Sequence, residues 1–307
     1  MTDTTEMKPG FYDDIPEDDY HHGPGISKSG LDLVNRSARH YHVGQYNPKP
    51  PTPAMAFGSA LHCLVLEPER FKREYIAEPT DAPKRPTAAQ VNAKKPSAAA
   101  SESIEYWNKF EQESVGKTII STKPGDDIFW SPSDWDRLQS MAATVYQHPV
   151  ARQLIELPGR AEVSYYWNDR DTGLLCRSRA DYMTDDDMLI DLKSTIDSSL
   201  SGFSKSVGNF RYHVQNAFYS DGYETLKCPP QAFVFMAVEK SPPYNVALYV
   251  LDGDSVHAGR AAYQANLRTF AECQKNNSWP GYCDDTENPY APRVIDLPPW
   301  AKRGNQS

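Results

Sequence analysis

Three consecutive runs in the middle of the chain alternate apolar and polar residues, which is the pattern of β-strands. The runs cover residues 161–167, 174–181 and 188–193, and polar turns rich in Asp separate them. Successive side chains of a strand point to opposite faces, so a period of two predicts a strand with two distinct faces. In the third run this period places Asp191 and Lys193 side by side on the same face.

Apolar residues at helical spacing flank these runs and predict helices, and two later apolar runs predict further strands. We expect helices over about 29–41, 54–66 and 135–149, around 214–218 and over 255–275, and later strands over 232–238 and 244–251. Three strands followed by a helix, two strands and a helix indicate the α/β fold class, with a sheet flanked by helices.

The two ends and one insertion differ in composition from the rest of the chain. Residues 1–20 hold seven acidic residues and one lysine, a net charge of −6 that is typical of a flexible segment. We therefore expect residues 1–23 to be an acidic flexible segment outside the folded domain, which covers 24–300 and precedes a tail at 301–307. Residues 79–100 are rich in Pro, Ala, Thr and Lys, which predicts a mobile insertion.

The overall charge argues at first against a nucleic-acid partner, because general nucleic-acid binders are usually basic. The chain of 307 residues carries a net charge of −9, but the acidic head accounts for most of it and leaves −3 for the remaining 287 residues. No apolar run approaches the roughly 20 residues that span a bilayer, and no signal peptide is evident, so we expect a cytoplasmic protein without a membrane partner. Five cysteines without a C-x-x-C pair suggest neither a disulfide framework nor a zinc ribbon.

Carboxylates converge around the strand that carries Asp191. Asp181 ends the preceding strand, and an antiparallel return over the acidic turn at 185–187 can bring it close to Asp191. Two adjacent carboxylates repel each other and raise each other's pKa unless a cation neutralises them. Mg²⁺ and Mn²⁺ suit carboxylate and water ligands, so the pattern predicts a site for a hard divalent cation.

Four short motifs occur along the chain in a consistent order. They are Ile26-Ser27-x-Ser29, Gly58-x-x-x-His62, Asp181 followed after nine intervening residues by Asp191-Leu192-Lys193, and Gln215-x-x-x-Tyr219. The third resembles the signature of the PD-(D/E)XK nuclease superfamily, with Ala180 where that signature has proline. The others resemble motifs of its RecB-like branch. Residues 212–223 and the tail around Trp279 and Trp300 resemble the RecE-type exodeoxyribonuclease VIII group, and the likeness covers roughly residues 24–300.

This resemblance implies a restriction-endonuclease-like core, in which a mixed central sheet is flanked by helices and preceded by a helical portion. The metal ligands it implies are His62, Asp181, Asp191 and the backbone carbonyl of Leu192, with Glu162 as an additional contact. It gives Lys193 the role of orienting or deprotonating the attacking water and stabilising the charge of the phosphoryl group, so that Asp181, Asp191 and Lys193 form the catalytic set.

Substrate contacts are expected on one helix face and around the motif. The family places contacts to the substrate strand at Gln215 and Tyr219, which lie at i and i+4 and so share a helix face. Arg177 and Arg179 share the strand face of Asp181, and Arg211 lies near the motif, so we consider these three arginines candidate phosphate contacts.

The activity implied by the resemblance is a Mg²⁺-dependent exonuclease, for which Mn²⁺ can substitute, that digests linear double-stranded DNA from an end. Its polarity is expected to be 5′ to 3′, releasing mononucleotides and leaving a 3′ single strand for a RecT-like annealing protein in homologous recombination. The family also suggests a homo-oligomer, a tetrameric ring around the DNA.

Two other functions stay open from the sequence. One is a RecB-like or Cas4-like nuclease that acts on single strands or as an endonuclease. The other is a catalytically silent DNA-binding subunit, for which a missing Asp or Lys would be expected, whereas here both motif residue types are present. A zinc hydrolase is disfavoured, because no second His or Cys lies at ligand spacing from His62.

Overall fold

The structure is a computed structural model that describes residues 7–46, 52–123, 133–282, 284, 288 and 290–297. These residues fall into two compact units, one within 1–28 and 50–263 and the other within 29–49 and 264–307, where the sequence predicted one domain over 24–300. Among the described residues, no helix is both long and apolar enough to cross a bilayer.

The first unit is built on a six-stranded mixed sheet, which confirms the predicted fold class. Its strand order is β1-β4-β5-β6-β7-β8, and a separate pair, β2 and β3, forms a small parallel sheet. In the large sheet β6 and β7 are parallel and the other neighbours are antiparallel. The strands are β1 Gly10–Tyr12, β2 Tyr75–Ala77, β3 Thr118–Ile120, β4 Gly159–Asn168, β5 Leu175–Thr184, β6 Met188–Thr195, β7 Ala232–Glu239 and β8 Val246–Tyr249.

The helices follow the predicted pattern, with more breaks than the sequence indicated. A Thr52 hydroxyl that accepts from the Met55 N–H begins α4, and proline at the first helical position suits that start. The helices are α1 Glu17–His22, α2 Lys28–Arg36, α3 Ala38–Tyr46, α4 Pro53–Leu66, α5 Pro68–Glu74, α6 Ala88–Val91, α7 Ala98–Glu113, α8 Asp134–Gln147, α9 Pro149–Glu156, α10 Leu200–Asn209, α11 Tyr212–Leu226 and α12 Gly253–Asn276. The expected insertion at 79–100 thus contains α6 and the start of α7.

Helices pack on the sheet from both sides, as the period-two pattern of its strands requires. Ile190 and Leu192 of β6 join the apolar core that includes Leu61 of α4 and Met141 of α8. The side chains of Asp191 and Lys193, which alternate with these two along β6, therefore point to the opposite face of the sheet.

Helix α11 approaches β4 closely at a glycine. A Cβ at Gly222 would lie 2.7 Å from the Trp167 ring, so this position needs a residue without a side chain. The close approach holds α11 against the strands that carry the candidate site.

The strands β5 and β6 separate partway along their length. Their ladder consists of the pairs Tyr182↔Ile190 and Met183↔Leu189, whereas β6 stays paired with β7 over its whole length. Beyond this short ladder the Leu192 N–H donates to the Asp181 side chain (2.8 Å) instead of to a strand carbonyl. The candidate site residues lie at this separation.

The described part of the N-terminal segment belongs to the fold, which corrects the expectation of a flexible head over 1–23. Strand β1 pairs with β4, and Tyr20 of α1 is 7% exposed. The Arg177 guanidinium donates to the carbonyls of His21 and Pro24 at 2.9 and 3.1 Å. Residues 1–6 lie outside the described residues.

A second arginine attaches the same segment. Arg179 donates to the Ile15 carbonyl at 2.7 Å and to the Ser164 hydroxyl at 2.9 Å, and its guanidinium lies 4.2 Å from the centre of the Tyr20 ring. The acidic composition of this segment predicted that it is flexible. Contacts of its aromatic side chains and of arginines distant in the sequence instead stabilise its ordered position.

We expect Tyr20→Ala to lower the free energy of unfolding by about 3 kcal/mol, because it removes a buried ring from between the two arginines and leaves a cavity. Tyr46→Ala is the control, since Tyr46 is 72% exposed and its loss should change stability by less than about 0.5 kcal/mol. Denaturant unfolding measures both. Equal stability of Tyr20→Ala and the parental protein would show that the segment is only loosely attached.

Candidate active site

Three groups that can bind a metal meet where β5 and β6 separate. His62 comes from α4, Glu162 from β4 and Asp181 from β5. The His62 Nδ1 atom lies 3.5 Å from Asp181 Oδ2 and 3.9 Å from Glu162 Oε1, and the three ligand atoms all lie within 4.8 Å of one another. Side chains as far as 119 positions apart in the sequence are thereby brought into one cluster of a size that fits a metal ion.

Glu162 occupies an unusual backbone conformation within its strand. Its φ is 51°, in the left-handed region that non-glycine residues seldom adopt, and the register pairs Ala161 and Val163 with Tyr182 and Ala180 on either side of it. This register sets Glu162 opposite Asp181, so two carboxylates face each other across the strands. Such strain concentrates at functional sites.

Burial and the Asp181 carboxylate raise the pKa of Glu162 to about 7. A cation bound at this cluster would stabilise the ionised carboxylate and so lower this pKa.

Asp191 is held beside the cluster by two partners of its own. Its side chain is buried, its Oδ1 atom accepts from Gln215 Nε2 at 2.6 Å, and its Oδ2 atom lies 2.6 Å from Lys193 Nζ. Burial raises the pKa of Asp191 to about 6 against the opposing effect of Lys193. Burial alone would lower the pKa of Lys193, but the carboxylates of Asp191 and Asp181 outweigh it and raise that pKa, so the ammonium group stays charged.

Tyr212 is a site residue that the sequence analysis missed. The Lys193 Nζ atom lies 5.0 Å from the centre of the Tyr212 ring, a cation–π contact that fixes the ammonium on one side. A signal was available, because Tyr212 precedes Gln215 by three residues and so shares its helix face.

The donors of the cluster fit a hard divalent cation. Two carboxylates and one imidazole form an oxygen-rich set, and ligands about 2.1 Å from one ion lie roughly 3–4 Å apart, close to the spacing seen. Among the described residues, the ligand atoms of the cluster come from His62, Glu162 and Asp181, whereas the buried Asp191 Oδ2 atom lies 2.6 Å from Lys193 Nζ. Asp191 is thus adjacent to the cluster rather than in it, and Leu192 reaches Asp181 through its N–H, so ligation by Asp191 and by the Leu192 carbonyl stays a prediction.

Several residues that were predicted to contact the substrate contact other parts of the protein in the structure. Gln215 is buried on Asp191, and the Tyr219 ring packs 6.3 Å from the rings of Tyr165 and Phe233. Arg177 and Arg179 donate to backbone carbonyls of the N-terminal segment, and the Arg177 side chain is buried. Their role as phosphate contacts stays a prediction.

Arg211 stays a candidate for a phosphate contact. It precedes α11 with a φ of 55°, at the turn between α10 and α11.

Comparisons with known proteins identify the family. A family model described as a PDDEXK-like domain of unknown function (DUF3799) matches residues 31–289, and the chain belongs to this family. The finding confirms the predicted superfamily and supports a nuclease; nucleases of this superfamily depend on divalent metal ions.

Solved structures support the same fold. The crystal structure of a protein from Eubacterium rectale, described as a putative exonuclease, has a TM-score of 0.54 at 11% identity and covers 94% of this chain and 96% of that chain. A likeness at this identity shows the fold alone. A second structure, SSO0001, has a TM-score of 0.25 at 13% identity over 68% of this chain and 85% of that chain, and carries no argument. No curated protein matches the sequence significantly.

The raised pKa of Glu162 predicts a pH dependence of metal binding. Because Glu162 must lose its proton to become a ligand, Mn²⁺ affinity should be about tenfold lower at about pH 6 than at about pH 8. Titration calorimetry at the two pH values measures the ratio. In Glu162→Gln the affinity should be weaker and the ratio smaller; an unchanged ratio in this variant would exclude Glu162 as the group that titrates.

The hydrogen bond from Gln215 predicts a role in positioning Asp191. Gln215→Ala should lower kcat by roughly tenfold to a hundredfold with little change in KM, because partners that orient catalytic carboxylates have effects of this size. Gln231→Ala, which removes an exposed glutamine, is the control. A rise in KM at constant kcat would instead support the substrate contact that the motif suggested.

Proposed function

We propose that the protein is a metal-dependent deoxyribonuclease that hydrolyses phosphodiester bonds. The observation that carries this proposal is the cluster of His62, Glu162 and Asp181 beside the buried pair of Asp191 and Lys193. Phosphodiester hydrolysis needs an oriented water, neutralisation of charge on the phosphoryl oxygens and a stabilised leaving oxygen. The cluster and the pair together offer groups for each need.

His62, Glu162 and Asp181 are the residues that would hold the metal, with Asp191 next to them. When bound, a Mg²⁺ or Mn²⁺ ion supplies Lewis-acid activation of water and of the phosphoryl group. Asp181 is itself oriented by the Leu192 N–H, which donates to its Oδ2 atom at 2.8 Å. The strands thus fix the carboxylate before any ligand arrives.

Lys193 acts as a fixed positive charge in this proposal. Asp191 holds the ammonium at 2.6 Å and raises its pKa, which keeps the proton on Lys193 rather than releasing it. A charged ammonium can orient the attacking water and stabilise the phosphoryl charge, but it cannot accept a proton from that water. Of the two roles that the resemblance implied for Lys193, we therefore favour the electrostatic one.

The helix that carries His62 leaves room for a substrate. Gly58 lies one helical turn before His62, and a Cβ at this position would meet no atom within 4 Å among the described residues. Open space on the same helix face as a candidate metal ligand supports access of a phosphate group to the cluster.

In finer detail we propose an exonuclease of the RecE type. Its substrate would be the end of linear double-stranded DNA, digested 5′ to 3′ to mononucleotides, with a RecT-like annealing protein receiving the 3′ strand. The resemblance of residues 212–223 and of the tail around Trp279 and Trp300 supports this group, and the description of the Eubacterium rectale protein accords with it. A homo-oligomeric ring is part of the same proposal, and Mg²⁺ is the proposed ion.

The experiment compares linear duplex labelled at either end, closed circular duplex and single-stranded DNA, each with and without Mg²⁺. Linear duplexes labelled at the 5′ or the 3′ end should be degraded progressively from the 5′ ends, closed circular duplex should stay intact, and EDTA should stop turnover. Equal degradation of the closed circle would indicate an endonuclease, preference for single strands would favour the RecB-like alternative, and no cleavage of any substrate would support a silent binding subunit.

Lys193→Ala should lower kcat by about a hundredfold or more while the protein stays folded and binds Mn²⁺ at least as tightly, since the variant removes a positive neighbour of the site. Lys109→Ala is the matched control, because the Lys109 side chain is 77% exposed and pairs weakly with Glu113. Circular dichroism checks the fold. Near-parental cleavage by Lys193→Ala would contradict the assignment.

A further inference from the structure

An exposed aromatic ring lies at the turn between α10 and α11. Phe210 is 60% exposed, and its ring centre lies 5.6 Å from that of Tyr212 with an angle of 28° between the planes. A single exposed apolar side chain is ordinary in a soluble domain. The rings behind Phe210 distinguish this one.

Phe210 is the outermost ring of a stack that begins in the core. Phe235 of β7 is fully buried, and its ring stacks on Tyr212 at 5.8 Å with an angle of 27°. The three rings Phe235, Tyr212 and Phe210 therefore run from the sheet to the surface, and the outer face of Phe210 has no ring beyond it among the described residues. Stacked rings favour a further planar group at such a face.

The stack passes directly beside the proposed catalytic pair. Lys193 Nζ lies 5.0 Å from the centre of the middle ring, Tyr212, so Phe210 lies no further than about 11 Å from the ammonium. This limit corresponds to at most about three nucleotide steps at roughly 3.4 Å per step. A nucleotide within three steps of a phosphate at Lys193 can thus bring its base to Phe210.

The backbone around Phe210 is held in place. Its N–H donates to the Ser206 carbonyl at 2.9 Å, and its carbonyl accepts from Lys28 Nζ at 2.8 Å. The next residue, Arg211, has a φ of 55°, a conformation that surrounding contacts must maintain. The ring is therefore presented in a fixed position, which lowers the entropy cost of stacking on it.

We propose that the exposed face of Phe210 stacks on a nucleobase of the DNA strand and so positions a nucleotide near the phosphate to be cleaved. This inference rests on the proposed nuclease function and adds a binding site for the base. A base is favoured over an apolar protein surface, because the face is one flat ring in a stack that leads to the proposed phosphate site. Stacking of this kind tolerates any base sequence.

The test is a thermodynamic cycle between the protein and the DNA. The dissociation constant is measured in EDTA for DNA ends with all bases present and for ends with one abasic site at each of the first few nucleotides. For the intact end, Phe210→Ala should bind about tenfold more weakly than the parental protein, whereas for one abasic position the two proteins should bind alike. Phe210→Trp should retain affinity, and its indole emission should be quenched by the intact end only.

Tyr46→Ala, which removes another exposed aromatic side chain, should leave affinity unchanged for every DNA. The inference is overturned if Phe210→Ala weakens binding to intact and abasic ends equally, or does not weaken binding at all. It is also overturned if the parental protein is a dimer in sedimentation that Phe210→Ala dissociates without any change in DNA affinity. Mg²⁺-dependent cleavage by the parental protein, measured in parallel, separates this failure from failure of the proposed function.

Discussion

The separation of β6 from β5 is the constraint on which the site depends. The two strands pair only at Tyr182↔Ile190 and Met183↔Leu189, while β6 keeps its full parallel ladder with β7. A backbone N–H left without a strand partner must find another acceptor. Asp181 provides it by accepting from Leu192, so a single hydrogen bond closes the end of the ladder and orients a carboxylate at the gap between the strands.

Negative charge gathered at this gap accounts for the rest of the arrangement. Glu162 and Asp181 face each other beside His62, and burial with this neighbour raises the pKa of Glu162 to about 7. Lys193 forms its ion pair with Asp191, and its ammonium also contacts the Tyr212 ring. The side of the gap that carries Glu162 and Asp181 is therefore where a divalent cation would be most favourable.

The sequence predicted well what depends on local periodicity and poorly what depends on distant contacts. Strand alternation placed Asp191 and Lys193 on one face, and the short acidic turn placed Asp181 near them. The buried position of Gln215 could not be read from its helix, because it depends on which strand the helix covers. The acidic N-terminal segment was predicted to be flexible, since its anchors Arg177 and Arg179 lie more than 150 residues further along the chain.

The central claim is that the gap between β5 and β6 holds a divalent cation on Asp181 and its neighbours. Anomalous diffraction from crystals grown with Mn²⁺ tests this claim most directly, because it locates the ion without reference to activity. We expect one strong peak about 2.0–2.3 Å from a carboxylate oxygen of Asp181 and a ring nitrogen of His62. A peak elsewhere, with an empty gap at saturating Mn²⁺, would contradict it.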